Sequence, residues 1–250
     1  RIPATRRPNH SRRKWHNNHT MRRILFVGQK PIGERCFELL LQHTGTSYVV
    51  AGICSNRDIN GWWKSNAIFQ MARTQGIPFI SNEKRNEDAI LALIESESID
   101  LLLSVQHPWI FSKKILQAVK YQALNLHNAK LPDYKGYFTI NHAILNDEKT
   151  YTSTIHWITD EVDAVAIGFE ETIPIAHDET ASSLYKKSSD ASVRAYELLI
   201  EHLMENKKIP RQPLIGTGHF YAKGDLERRL NQDPLDRAEQ NRMKRARPEF

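Results

Sequence analysis

The apolar residues from residue 21 onward follow two alternating periods. Short continuous apolar runs predict buried strands, and segments with apolar residues three or four positions apart predict amphipathic helices. The predicted strands cover residues 23–27, 48–54, 78–80, 100–105, 123–127 and 151–158. The predicted helices cover residues 34–43, 66–75, 87–97, 112–119, 140–145 and 180–204. This alternation predicts an α/β fold built on a doubly wound, Rossmann-like, mostly parallel sheet that helices cover on both faces.

The two ends of the chain depart from this pattern. Residues 1–20 contain almost no apolar side chains and cannot offset the entropy of ordering, so we expect a disordered basic tail. A nucleic-acid-binding arm and a transit peptide are alternatives. A non-native segment, vector-derived or from an over-extended reading frame, is favoured because Met21 directly precedes a strand. We therefore expect this tail, a main domain at 21–209 and a short, polar C-terminal extension at 210–250.

Composition and charge narrow the class of protein. The chain has 250 residues, of which 40% are hydrophobic and 26% charged, as in an ordinary globular protein. The formal net charge is +6, but residues 1–23 carry eight basic side chains and no acidic one. The rest has 27 basic against 29 acidic residues, a formal charge of −2. This distribution argues against a polyanion-binding surface on the main domain, so we expect no nucleic-acid partner.

Cysteine and histidine usage argues against several kinds of site. Cys36 and Cys54 form no C-x-x-C pair, which disfavours a disulfide framework and a zinc knuckle and favours the cytoplasm. No apolar run approaches the about 18 residues of a membrane span, so no membrane partner is expected. No metal is expected, because no cluster has metal-ligand spacing. Four histidines are interpreted as loop or packing residues: His107, His142, His156 and His177.

Two adjacent tryptophans lie in the loop that follows the second predicted strand. Trp62 and Trp63 stand beside Lys64, and a loop has little room to bury both rings. One ring is expected to pack against the protein. The other can stack on a base or sugar, with Lys64 or Arg57 near a phosphate.

The strongest candidate chemistry lies in residues 123–137. Asn125 and His127 are two residues apart on a predicted strand, so both side chains project from one face at its carboxyl end. An amide and an imidazole there can stabilise a developing oxyanion, and the histidine can also take up a proton. Asp163 follows the next predicted strand, from which a carboxylate could orient His127. The alternative is a partly buried histidine beside an asparagine that closes a turn.

These residues resemble the formyltransferases that use 10-formyltetrahydrofolate. The resemblance rests on Asn125-Leu-His127, the 129–132 loop, Tyr134-Lys-Gly136, residues 142–146 and Glu161-Val-Asp163. Two further stretches, residues 104–110 and 127–136, are more similar to the sugar-nucleotide N-formyltransferases than to the methionyl-tRNA enzymes. The resemblance extends over roughly residues 21–230.

The resemblance implies a reaction and a set of partners. It implies the formyltransferase fold and formyl transfer from 10-formyltetrahydrofolate to the amino group of a nucleotide-linked deoxy amino sugar, such as a dTDP-linked 3- or 4-amino-dideoxyhexose. Such a reaction serves surface polysaccharide synthesis, including lipopolysaccharide O-antigen. A homodimer is implied, and the 210–250 extension is expected to be shortened. The alternatives are formylation of another small amine, such as glycinamide ribonucleotide, and a non-catalytic folate or nucleotide-sugar binding protein.

Matched position by position, the resemblance also implies three groups of site residues. The catalytic residues would be Asn125, His127 and Asp163. The formyl donor would contact Gln106, His107, Trp109, Ile110, Ala129, Leu131 and Pro132. The acceptor would contact Trp62, Lys64, Lys130, Tyr134 and Tyr137. Ala129 and Lys130 replace the Ser-Leu pair of the transfer-RNA enzymes, so Lys130 is expected to face an anionic acceptor such as a pyrophosphate.

Overall fold

The computed structural model describes residues 21–59, 62–159 and 166–247. The strands are β1 (Arg22–Gly28), β2 (Tyr48–Ser55), β3 (Phe79–Ser81), β4 (Leu101–Val105), β5 (Ala123–His127), β6 (Lys135–Gly136), β7 (Thr150–Trp157), β8 (Ala166–Pro174), β9 (Gln212–Pro213) and β10 (Phe220–Tyr221). The helices are α1 (Lys30–Gln42), α2 (Ala67–Gln75), α3 (Glu87–Ser96), α4 (Lys113–Ala118), α5 (Thr139–Leu145), α6 (Ala181–Met204), α7 (Asp225–Leu230) and α8 (Arg237–Arg245).

Eight strands form the central sheet in the order β3-β2-β1-β4-β5-β7-β8-β9. The strands from β3 to β5 are parallel, whereas β7, β8 and β9 join in antiparallel pairs. β6 and β10 pair separately as a short parallel ribbon. The expected doubly wound, mostly parallel α/β sheet is therefore confirmed.

Apolar cores on both faces explain the continuous apolar runs of the central strands. In β1, Ile24 and Phe26 pack with α1 and α6, whereas Leu25 and Val27 pack with α3 and α4 on the opposite face. Successive side chains of a strand point to opposite faces, so a strand that is covered on both sides must be apolar at every position.

Each predicted strand and helix has a counterpart, with shifts at the ends. α1 begins at Lys30 rather than at residue 34, because Pro31 is accommodated in its first turn. The short strands β6, β9 and β10, the longer strand β8, and the helices α7 and α8 are not predicted from the sequence. In β8 the adjacent Glu170 and Glu171 interrupt the apolar pattern, and α8 buries Met243 alone on a strongly charged helix. Such elements give no clear period in the sequence.

The sheet topology determines where a ligand can bind. The chain winds outward from β1 to β3 and then returns to place β4 and β5 on the other side of β1. Ligands of such sheets bind at the carboxyl ends of strands beside this switch point, which here are the loops after β1, β4 and β5. None of the helices in the described ranges combines the length and the apolar character that a bilayer crossing requires.

Candidate active site

β5 brings Asn125 and His127 to the same face of the sheet. Its antiparallel neighbour β7 places His156 opposite Asn125 and Thr154 opposite His127. On the other side of β5, Ser104 of β4 is in register with Asn125. The amide and the imidazole therefore lie side by side at the carboxyl end of a strand that is held from both edges.

The tautomer of His127 follows from its hydrogen bond. His127 Nε2 lies 2.7 Å from the carbonyl oxygen of Tyr134. A carbonyl can only accept, so Nε2 carries the proton and Nδ1 carries the lone pair. Burial lowers the pKa of His127 below its ordinary 6.5, and the bond to the Tyr134 carbonyl only partly opposes this effect. At neutral pH the imidazole is therefore uncharged, and Nδ1 can accept a proton.

A buried polar network fixes the chain immediately after His127. Asn128 Oδ1 accepts from the hydroxyls of Ser153 at 2.9 Å and Ser192 at 3.2 Å, and its Nδ2 donates to Ser188 Oγ at 3.0 Å. The Tyr151 hydroxyl donates to the Asn128 carbonyl oxygen at 2.6 Å. These contacts tie the end of β5 to β7 and α6. Nothing in the sequence indicated this network, because isolated serines on a helix are usually exposed.

The loop that follows is mostly buried. Ala129, Leu131 and Pro132 expose little side-chain surface, so their predicted contacts with the formyl donor would come mainly from backbone atoms. Lys130 projects outward and forms an exposed ion pair with Asp133, with Nζ and the carboxylate oxygen 2.9 Å apart. Lys130 is thus the group in this loop that can meet an anion.

Tyr134 and Tyr137 differ in placement. The Tyr134 ring is buried and stacks on Tyr221, and its hydroxyl donates to Glu148 Oε1 at 2.6 Å. The Tyr134 side chain thus faces the protein and its carbonyl accepts from His127, while its contact with the acceptor stays a prediction. Tyr137 is exposed, and its backbone N–H donates to the Tyr221 carbonyl oxygen.

The loop after β4 carries buried polar atoms that lack partners. Gln106 Oε1 and His107 Nδ1 have no hydrogen-bond partner among the described residues. His107 stacks on Phe111, and burial lowers its pKa to about 4, so the ring is neutral. Trp109 Nε1 donates to the Asn82 carbonyl oxygen at 3.1 Å, whereas Ile110 is 88% exposed. Buried polar atoms normally have partners, so orphaned ones in a loop at the carboxyl end of a strand suggest a ligand that would supply them.

The loop that contains Trp62 and Trp63, here called the tryptophan loop, contacts this region through Tyr185 of α6. The sequence did not single out Tyr185 as a site residue. Trp62 is 48% exposed and packs edge-on against Trp63 and Tyr185, with ring centroids 6.0 and 5.7 Å apart. The Tyr185 hydroxyl lies beside Gln106, but neither this hydroxyl nor Gln106 Oε1 makes a well-formed hydrogen bond within the described ranges. Tyr185 fits the apolar period of α6, so nothing in the sequence distinguished it from a packing residue. Lys64 is exposed on the same loop.

Some predictions concern residues that the structure does not describe. Asp163 and residues 1–20 lie outside the described ranges, so the role of Asp163 stays a prediction. Among the described residues, no group of three histidine, cysteine or acidic side chains could hold a metal ion. Cys36 and Cys54 are both buried free thiols.

The sequence matches the family described as formyl transferase over residues 22–200. Methionyl-tRNA formyltransferase of Halalkalibacterium halodurans is 30% identical over 148 residues, which cover 58% of this chain and 47% of that protein. The chain thus spans about half the length of the curated relatives that it matches first.

Solved structures with the same fold include two N-formyltransferases. The first, from Helicobacter canadensis, was solved in complex with folinic acid and dTDP-3-aminofucose; it has a TM-score of 0.70 and 22% identity, covering 90% of this chain and 80% of that one. The second, a 4-N formyltransferase from Francisella tularensis, has a TM-score of 0.72 and 18% identity, covering 92% of this chain and 90% of that one. At these identities the likeness establishes the fold.

Proposed function

The chain belongs to the formyl transferase family, and we propose that it transfers a formyl group from 10-formyltetrahydrofolate to the amino group of a nucleotide-linked deoxy amino sugar. The structure from Helicobacter canadensis contains folinic acid and dTDP-3-aminofucose. We propose that this chain binds compounds of the same two classes, a folate and a nucleotide-linked amino sugar. The product would enter the synthesis of a surface polysaccharide.

One observation carries the proposal. A neutral imidazole with its Nδ1 lone pair and a hydrogen-bonded amide lie on one face at the carboxyl end of β5. They adjoin the loop after β4, whose buried polar atoms lack partners among the described residues. This combination suits acyl transfer to an amine, which requires a proton acceptor and a donor to an oxyanion at the same place.

Asn125 supplies the oxyanion donor in this proposal. As an amine adds to the formyl carbon, negative charge develops on the formyl oxygen. The amide of Asn125 is held before the reaction begins, so little reorganisation is needed to donate a hydrogen bond to that oxygen. Removal of one such donor typically costs about 10²–10³ in rate.

His127 moves the proton. The attacking amine loses a proton as its bond to carbon forms, and His127 Nδ1 is the nitrogen with the lone pair to accept it. The bond from carbon to the donor nitrogen then breaks, and the same proton can pass to that departing nitrogen. The donor supplies an activated formyl group, and no metal takes part in these steps.

The residues after β4 fit the formyl donor. The His107 ring presents a polar edge to a cavity that Trp109 and Phe111 line with apolar surface, and Gln106 Oε1 lies next to His107 in the same loop. A flat heteroaromatic ring with N–H and C=O groups along its edge matches this mixture. We propose that these residues, with the backbone of the 129–132 loop, hold the donor.

We propose that the amino-sugar substrate binds beside the loop that contains Trp62 and Trp63. Trp62 and Tyr185 offer aromatic surface for a base or sugar, and Lys64 and Lys130 offer positive charge for phosphates. The formal charge of −2 outside residues 1–23 favours such a small anionic acceptor over a transfer RNA.

A substrate panel tests the proposal. Purified protein is assayed with 10-formyltetrahydrofolate and four acceptors: a dTDP-linked 3-amino sugar, its 4-amino isomer, glycinamide ribonucleotide and methionyl-tRNA. We expect formylated product from an amino sugar, and we expect H127A to lower kcat by at least about 10²-fold. Formylation of glycinamide ribonucleotide or methionyl-tRNA alone would overturn the sugar assignment.

Matched controls separate chemistry from folding. H177A removes an exposed histidine distant from β5 in the chain and should retain full activity. If the wild-type protein forms no product from any acceptor and calorimetry detects no folate binding, the transferase proposal is wrong.

A further inference from the structure

His156 is a partly buried histidine in β7 that the proposed reaction does not use. It stands directly opposite Asn125 in the antiparallel pair of β5 and β7, so both side chains share one face of the sheet. Asn125 Nδ2 and His156 Nε2 are 3.1 Å apart, which is a hydrogen-bond distance. Its sequence context suggested only packing.

A second contact determines which atom donates in that bond. His156 Nδ1 lies 3.2 Å from the carbonyl oxygen of Trp157. Because that oxygen can only accept, Nδ1 carries the proton of the neutral ring and Nε2 carries a lone pair. His156 can therefore only accept from Asn125. The asparagine must present its NH₂ group to the histidine, since its Oδ1 would repel the Nε2 lone pair.

Trp157, whose carbonyl oxygen contacts His156, is itself held in place by two neighbours. The Trp157 indole Nε1 donates to the Pro210 carbonyl oxygen at 2.8 Å, and the Arg211 guanidinium lies 3.4 Å from the Trp157 ring centroid. Burial lowers the pKa of His156 to about 4, and the neighbouring His127 acts in the same direction. The ring therefore stays an acceptor at neutral pH, even in a step that protonates His127.

We propose that His156 is a positioning residue that locks the rotation of the Asn125 amide, so that the second N–H of Nδ2 is available to the formyl oxygen. Without this lock, the amide could rotate by 180° and present its oxygen to the developing negative charge. The assignment rests on the proposed function. It extends that function by making the Trp157 carbonyl, His156 and Asn125 one directional chain of hydrogen bonds.

A double-mutant cycle tests the assignment. H156F removes the hydrogen-bond acceptor of His156 while retaining a ring of similar size. We expect kcat to fall about 10- to 100-fold, with the KM of each substrate changed less than about twofold. In an N125A background, the same substitution should lower kcat by less than about twofold, because no amide remains to be oriented. Equal losses in both backgrounds, or an unchanged kcat, would overturn the proposal.

H142F is the matched control. His142 is a buried, neutral histidine on α5 that stacks on Tyr221, and neither ring nitrogen has a partner among the described residues. Its replacement tests the general effect of removing a buried imidazole, and we expect kcat to stay within about twofold of wild type. H156Q keeps an acceptor atom and should recover part of the activity that H156F loses.

A measurement on the wild-type protein needs neither turnover nor a variant. Nitrogen-15 NMR of the histidine rings at pH 7 should show His156 neutral, with Nδ1 protonated and Nε2 unprotonated. The opposite tautomer or a cationic ring would overturn the assignment. If the protein turns over no acceptor, the proposed function fails, whereas this spectrum still tests the hydrogen-bond chain.

Discussion

At the scale of single residues, the site contains polar atoms that stability alone does not explain. The buried Tyr185 hydroxyl and Gln106 Oε1 lack well-formed partners in the described part of the chain. A buried polar group without a partner destabilises a fold by about 1–3 kcal/mol. They lie between the loop that contains Trp62 and Trp63 and the end of β4, where the proposed function places a substrate that would supply the missing hydrogen bonds.

Y185F should therefore affect binding and stability differently. We expect KM for the acceptor to rise about tenfold, because the hydroxyl no longer bonds the substrate. The free energy of unfolding should stay equal or increase, because an unsatisfied group has been removed. Substrate titration and urea denaturation measure the two quantities.

Tyr196 provides the control, since its hydroxyl is also buried without a partner in the described ranges but lies in the core beneath α6. Y196F should leave KM unchanged. A fall in stability for Y185F with KM unchanged would show that the Tyr185 hydroxyl serves the fold.

At the scale of elements, the parallel ribbon of β6 and β10 braces the loop that holds His127. Lys135 pairs with Phe220 and Gly136 with Tyr221, and Tyr221 stacks on the buried Tyr134 ring. Since the Tyr134 carbonyl accepts from His127 Nε2, the C-terminal segment supports the imidazole through one intervening residue.

G136A should disrupt this brace. Gly136 has a φ of +93°, and a Cβ there would overlap the Tyr221 carbonyl. We expect kcat to fall at least about tenfold, because the Tyr134 carbonyl would shift from His127, and proteolysis of residues 210–247 to become faster.

G45A is the matched control for backbone strain. Gly45 has a similar φ of +89°, and a methyl group on its Cα would meet no atom within 4 Å among the described residues. This substitution should cost about 1–2 kcal/mol of stability and leave kcat unchanged. Equal effects of G45A and G136A on kcat would contradict a bracing role for the ribbon.

The elements also show how far the sequence could predict the fold and the site. β5 was predicted with its observed ends, so the shared face of Asn125 and His127 followed from strand geometry. The partners of these residues could not be predicted in the same way. The pairing of Asn125 with His156 depends on the register of β7, and Tyr185 reaches Gln106 only through the packing of α6 on the sheet. Both contacts depend on tertiary structure, so no periodic pattern in the local sequence reveals them.

At the scale of the whole molecule, several buried histidines make the fold sensitive to acid. Burial lowers the pKa of four of them below the ordinary 6.5: His107, His127, His142 and His156. The unfolded chain therefore binds more protons than the folded chain as the pH drops below about 6.5. The resulting loss of stability grows as the pH falls toward the folded pKa values.

We expect the free energy of unfolding to decrease between pH 6.5 and 5, by up to about 1.4 kcal/mol per pH unit for each histidine whose pKa is well below 6.5, such as His156. Carboxylates such as Glu179, whose pKa is lowered below 4.5, contribute only at lower pH. Urea denaturation at pH 7.5, 6.5 and 5.5 measures the trend. H156F should flatten it and H177A should not; a flat wild-type profile would contradict burial of neutral imidazoles.

The ribbon of β6 and β10 also has a consequence for the order in which the protein matures during translation. The central parallel strands and α1 to α4 are all encoded before residue 128, whereas the brace on the Tyr134 loop requires residues 219–221. A ribosome-bound chain can thus form most of its sheet before the ribbon of β6 and β10 supports the Tyr134 carbonyl that accepts from His127. We expect nascent chains stalled short of residue 219 to turn over more slowly than chains that include residues 219–221, so that the support of His127 is completed only after most of the sheet has formed.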